Sequence, residues 1–289
     1  MIVAERETQR AGAEMPARPR VRVLLVEDSL ADARLTELSL TDGGVCQFET
    51  HVARTLAEAL KTLDDGQVDV VLLDLGLPDS FGLETFQRLH AAAPELPVIV
   101  LSGQTDEELA VRAVQEGAQD YLTKGRADSD MLARAIRYAV ERQRIELALE
   151  RERELFRTLM EHIPDSIYFK DIQSRFLRIS SAQAKLFGFK STEEAVGKTD
   201  FDVFAKEHAQ ASFEDEQQVI RTGNPLLAKI EPERLADGRL RWALTTKMPF
   251  RSKQGYIVGT FGISKDITQI KLMEEEIGRG TRLNSSHRL

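Results

Sequence analysis

The chain has 289 residues, a formal charge of −8 at pH 7, 42% hydrophobic and 30% charged residues, and a single cysteine, Cys46. At ~100–200 residues per domain the length fits about two cores. The acidic balance argues against a dedicated nucleic-acid surface, which needs a positive field. One cysteine excludes a disulfide framework or a cysteine-rich zinc site. No run reaches the ~18–20 apolar residues of a membrane span, so a cytoplasmic protein without membrane contact is expected.

Residues 1–20 scatter charge without an apolar stretch and read as a disordered leader. Val21–Val26 is a β-branched and aliphatic run of the kind buried on both faces of a parallel sheet, and it ends in Glu27-Asp28-Ser29 before a helical stretch with Leu30, Leu35, Leu38 and Leu40. Phe48–Ala53 alternates like an edge strand, and Leu56, Ala59, Leu60 and Leu63 follow at helical spacing. Val70–Leu73 is the second buried-type strand and delivers Asp74. Gly76, Pro78 and Gly82 then break the strand into a loop before a helix carrying Leu83, Phe86 and Leu89.

Pro97–Leu101 makes a fourth strand ending in Ser102-Gly103. The stretch Asp106–Gly117 reads as a helix with Leu109, Ala113 and Val114 inward, and Tyr121-Leu122 is a short fifth strand ending at Thr123-Lys124-Gly125. Five such alternations predict a doubly wound α/β domain with a five-stranded parallel sheet.

In the strand order 2-1-3-4-5, Glu27, Asp28, Asp74, Ser102 and Lys124 converge in one crevice at the carboxyl ends of the strands. Singly, each has an ordinary reading: a strand-end cap for Asp74, a loop-start hydroxyl for Ser102, a solvated surface lysine for Lys124. Together the three carboxylates repel one another unless a hard divalent cation neutralises them, and Mg²⁺ suits oxygen ligands that also approach a phosphate. Lys124 and Ser102 supply a positive charge and a donor beside Asp74, so the set describes a phosphoryl site with an aspartate nucleophile.

Residues Val21 to about Tyr138 resemble the receiver domain of two-component response regulators, through LLVEDS, LLDLGLPDSFGLE, VIVLSG and DYLTKG in order and spacing. The resemblance implies a flavodoxin-like fold in which Asp74 accepts a phosphoryl group from a histidine kinase or phosphotransfer protein. It implies that Asp28 ligates Mg²⁺ together with Asp74 and the Gly76 backbone carbonyl, Glu27 helping through water. Ser102 would swing to the phosphate, Lys124 would be its counter-ion, and Tyr121 the aromatic that follows Ser102. Gly125 departs from the pattern, since many receivers carry proline there. A haloacid-type phosphatase also pairs a strand-end aspartate with Mg²⁺, but that class wants a second aspartate where Gly76 stands.

From Ser129 to Ile163 there is neither glycine nor proline. Leu132, Ile136, Ala139 and Val140 form the inward stripe of a last receiver helix, and residues 139–162 continue as a charged helical connector with an imperfect coiled-coil pattern around Ile145, Leu147 and Leu149. Residues 163–268 then alternate as strands, short helices, a longer helix over Lys206–Thr222 and three strands, an α+β domain with an antiparallel sheet. Within it Ser191 and Glu194 form the pattern of a capping box, and Trp242 and Phe261 are expected in the core.

The stretch resembles a PAS sensor domain, on PDSIYFKD, SAQAKLFGF, VGKTDFDVF, DGRLRW and GTFGISKDIT. The lone cysteine lies outside it, and His208, on a helix rich in Glu and Gln, reads as exposed, so no tightly bound PAS cofactor is expected. Residues 269–277 begin an output helix and 278–289 read as an unstructured tail. The expectation is a phosphorelay protein without enzymatic activity of its own, dimeric through the connector and the PAS domain. The alternative is the N-terminal part of a hybrid sensor histidine kinase or other output enzyme whose catalytic domain is missing.

Overall fold

The computed structural model describes residues 19–41, 46–64, 66–103, 107–125, 127–235 and 237–286. Residues 1–18 of the expected leader, and Asp106 at the expected start of a helix, lie outside the described residues. The chain divides into two compact units, one ending at Arg151 and one starting at Glu152.

In the first unit, strands β1 (Arg20–Val26), β2 (Gln47–Ala53), β3 (Val70–Asp74), β6 (Val98–Ser102) and β7 (Asp120–Thr123) form a parallel sheet in the order β2-β1-β3-β6-β7. Helices α1 (Leu30–Thr41), α2 (Leu56–Asp64), α3 (Leu83–Ala92), α4 (Glu107–Gln115) and the start of α5 (Ser129–His162) alternate with the strands. The β-branched and aliphatic runs of β1, β3 and β6 are buried on both faces, as helices on two sides require. One cluster centres on Leu24, Val71, Leu73, Phe86 and Val100, the other on Leu25, Leu72, Ile99 and Ile136.

The loop after Asp74 closes into a two-residue hairpin, β4 (Gly76–Leu77) against β5 (Ser80–Phe81). Gly82, at φ 67°, then turns the chain into α3, a backbone conformation suited to a residue without Cβ. On α1, Leu30, Leu35 and Leu38 are exposed while Ala33 and Leu40 are buried. One inward assignment shifts: on α4 it is Ala110, with Ala113, that reaches the core while Val114 is exposed.

The second unit holds an antiparallel sheet in the order β10-β11-β12-β8-β9, formed by β8 (Ser166–Asp171), β9 (Phe176–Ile179), β10 (Leu226–Arg234), β11 (Leu240–Arg251) and β12 (Ile257–Asp266). Between β9 and β10 lie α6 (Ser181–Phe187), two 3₁₀ turns and α7 (Lys206–Thr222). Along β11 alternation puts Ala243, Thr245 and Lys247 inward. Trp242 therefore lies on the opposite face and is only partly buried, contrary to its expected place in the core. Phe261 shares that face, stacked on Phe169 at 5.7 Å, and Phe169 also meets Phe250 and Phe156 edge-on.

Ser191 makes no side-chain cap to the 3₁₀ turn it precedes, Thr192–Ala195; Glu193, not Glu194, takes the nearby hydroxyl of Thr192 at 3.0 Å. The box forms at Thr199, whose backbone N–H donates to Asp202 Oδ2 at 2.7 Å. The last helix, α8 (Thr268–Ser286), continues beyond residue 277 into the stretch read as a tail, of which residues 287–289 lie outside the described residues. No proline interrupts it, and each glycine costs a helix only about 1 kcal/mol relative to alanine. Among the described residues no helix is long and apolar enough to cross a membrane.

Candidate functional site

Five strand ends of the first unit meet at one edge of its sheet. Parallel pairing sets Asp74 beside Leu101 and Ser102 beside Thr123, so β3, β6 and β7 finish at nearly the same level. Glu27 and Asp28 follow directly from β1, which pairs with β3. Each of Glu27, Asp28 and Asp74 offers a carboxylate oxygen, all within 4.8 Å of one another.

Lys124 Nζ stands among these acids, 2.5 Å from Asp74 Oδ2, 2.5 Å from Glu27 Oε2 and 3.8 Å from Asp32 Oδ2. Its backbone N–H donates to Ser102 O at 2.8 Å, which fixes the root of the side chain next to the serine. Burial works against the ammonium, but the hydrogen bonds to Asp74 and Glu27 outweigh it and hold Lys124 above its ordinary value. Glu27 is 1% exposed, and burial pushes its carboxyl up despite the opposing effect of Lys124. The pocket therefore contains more acid than one ammonium satisfies.

That excess, the exclusively oxygen character of the acids and their mutual spacing fit a hard divalent cation such as Mg²⁺. Asp74 Oδ1 is held by the Gly76 N–H at 3.0 Å, so the carboxylate is oriented by the same residue whose carbonyl is the expected metal ligand.

Ser102 is 2% exposed and its hydroxyl has no hydrogen-bond partner among the described residues. Tyr121 is partly buried against the core cluster beneath this edge, directly paired to Val100. The structure thus brings Glu27, Asp28, Asp74 and Lys124 together, with Ser102 adjoining Lys124 and Tyr121 two strand positions from the β6–β7 ends. Sequence reasoning missed Asp32, in the first turn of α1, and Asp79, whose carboxylate accepts the N–H groups of Leu56 and Ala57. The Pro78-Asp79 turn signal was visible, but its distant partner was not.

The second unit has its own ionic centre. Lys170 Nζ lies 2.6 Å from Asp200 Oδ2 and 2.7 Å from Glu216 Oε1, and Lys247 Nζ donates to Ser212 O and Oγ at 2.9 and 2.8 Å. Arg241 pairs with Glu233 at 2.6 Å. All these side chains are buried or nearly so. Despite burial, the charges of Asp200 and Glu216 hold Lys170 above its ordinary value, and Lys170 and Lys247 hold Asp200 below. The space left inside is about 10 Å³, lined by Tyr168, Gln183, Asp200, His208 and Lys247 among others, which is room for about one water. His208 is not the solvated residue its helix suggested: it packs on the Phe204 ring at 4.6 Å, and burial lowers its pKa.

Known proteins divide the chain in the same way. A response regulator receiver domain matches residues 23–137 and a PAS fold matches residues 160–271. Over 114 residues the chain is 35% identical to the cell cycle transcriptional regulator CtrA of Caulobacter vibrioides, covering 39% of this chain and 48% of that protein. Over 128 residues it is 38% identical to the transcriptional regulatory protein KdpE of Mycobacterium tuberculosis, covering 44% and 54%. The chain spans about half the length of these curated relatives. The receiver domain of NtrX from Brucella abortus is 32% identical over 41% of this chain and 98% of that one, with a TM-score of 0.38. The chain is built of a response regulator receiver domain followed by a PAS fold.

Proposed function

We propose that this protein is a phospho-accepting component of a two-component phosphorelay, with Asp74 as acceptor and a histidine kinase or phosphotransfer protein as donor. An Asp74 carboxylate oxygen attacks phosphorus, the P–N bond to the donor imidazole breaks, and the imidazole leaves with a proton. Lys124, already within reach of Asp74, moves its charge onto the new phosphoryl oxygens. The buried Ser102 hydroxyl supplies a donor to the same group. Asp28, Asp74 and the Gly76 carbonyl would hold Mg²⁺, with Glu27 acting through water. The ion would neutralise charge developing on the transferred group.

The added group carries about 1.5–2 negative charges, and that charge is what biases the receiver. The effect passes along α5, whose exposed Ile145, Leu149, Leu155 and Leu159 support pairing with a second copy, to the PAS domain. The chain itself acts as a signalling module, and any enzymatic output belongs to a partner or to a longer parent such as a hybrid histidine kinase.

One observation carries the reading: Lys124 Nζ at 2.5 Å from both Asp74 and Glu27 at the carboxyl edge of the sheet. Incubation with acetyl phosphate and Mg²⁺ is expected to add one phosphoryl group to the wild type and none to Asp74→Asn. Equal labelling of the two proteins would overturn it.

A further inference from the structure

We infer that Asp79 is a positioning residue for the metal side of the receiver site, an inference that rests on the phosphorelay reading above. Gly76 sits in β4, and the hairpin it belongs to is fixed at two ends. At its base, Gly82 N–H donates to Leu75 O at 2.8 Å and Gly76 N–H to Asp74 Oδ1 at 3.0 Å. At its tip, Asp79 Oδ1 and Oδ2 accept the N–H groups of Leu56 and Ala57, each at 2.9 Å. These two donors belong to the first turn of α2, where backbone N–H groups lack partners within the helix.

The segment that supplies those donors is bound on its other side to the loop that carries the acids. Glu27 N–H donates to Ala53 O at 2.9 Å, and Arg54 Nη2 donates to Asp28 O at 3.2 Å. Residues 53–57 therefore bridge the Glu27–Asp28 loop to the Gly76 hairpin, and Asp79 is the side chain that closes the bridge. Burial acts to raise the Asp79 carboxyl, but the Leu56 and Ala57 amides outweigh it and hold it below the usual range, so both bonds persist at neutral pH. A freed tip would let the hairpin carrying Gly76 move relative to the acids, loosening a metal site without removing a ligand.

Mg²⁺ titration of the full chain by calorimetry tests this, using Asp79→Ala, Asp79→Asn and Thr55→Ala. Thr55 Oγ1 caps the same helix by accepting Glu58 N–H at 3.1 Å, whereas the hydrogen bonds from this segment to the hairpin go through the Leu56 and Ala57 amides. Asp79→Ala is expected to weaken Mg²⁺ binding about tenfold, the lower range for loss of a group supporting a metal ligand. Asp79→Asn, which keeps one acceptor oxygen, should fall between it and the wild type, and Thr55→Ala should stay within about twofold of the wild type by the same scale. Wild-type affinity in both Asp79 variants, or an equal loss in Thr55→Ala, would overturn the inference. Absence of Mg²⁺ binding by the wild type would instead overturn the reading on which it rests.

Discussion

At the residue scale the two units handle buried charge differently. In the receiver, one ammonium stands against three or four carboxylates, so Lys124 is both a stabiliser and a competitor for any cation. Lys124→Ala is expected to destabilise the receiver by about 1–3 kcal/mol, the cost of leaving a buried group without its partner, seen as a lower thermal midpoint. Mg²⁺ should then recover more stability in the variant than it adds to the wild type, and an equal Mg²⁺ response would contradict this account of the pocket. In the PAS domain the charges are matched within the fold. Asp200 is depressed by Lys170 and Lys247 despite its burial, so its contribution is full above its unfolded value of about 3.9 and is lost as pH falls through the lower folded value. Asp200→Asn should destabilise the PAS domain by about 3–5 kcal/mol at pH 7 and flatten its decline below about pH 4. Fluorescence of Trp242, the chain's single tryptophan, reads that unfolding directly.

At the element scale the central pairing of the PAS sheet depends on the absence of side chains. Gly262 lies opposite Tyr168, and a Cβ there would enter the tyrosine ring; at Gly259 it would enter the Lys170 carbonyl. Gly262→Ala is expected to cost the domain about 1–3 kcal/mol, the usual penalty for overpacking, measured by denaturant titration of the same fluorescence.

The elements differ in how far the sequence revealed them. The receiver strands were legible because a sheet covered on both faces needs unbroken apolar runs, and each run here ends in the residue that matters. The site was legible for the same reason, since parallel order converts strand ends into neighbours. The PAS interior was not. Alternation along β11 separates Trp242 from Lys247, but it does not say which face is enclosed, and the face that is enclosed carries lysines. Ser191 and Glu194 matched a cap motif that the fold leaves unused, while the box forms at Thr199 and Asp202. Asp79 was hidden because its partners, Leu56 and Ala57, lie more than twenty residues earlier in the chain.

At the scale of the whole molecule, α5 runs without a break for 34 residues and links the two units covalently. Its inward stripe of Leu132, Ile136, Ala139 and Val140 is covered by the receiver, whereas Ile145 and Leu149 are 59% and 45% exposed. If a second copy covers them, Ile145→Lys with Leu149→Lys should convert the full chain from dimer to monomer in sedimentation equilibrium. A wild-type monomer at high concentration would contradict that arrangement. A phosphoryl group can bias such an assembly only by stabilising one state over another, and a swing from 1:99 to 99:1 needs about 5.5 kcal/mol of difference.

Formation of an acyl phosphate on Asp74 can be read directly. Reductive trapping with borohydride after incubation with acetyl phosphate and Mg²⁺ converts a phosphorylated aspartate to homoserine, which peptide mass spectrometry locates. The expected result is homoserine at position 74, dependent on Mg²⁺. Trapping at Asp28 or elsewhere with Asp74 intact, or no trapped residue at all, would contradict it.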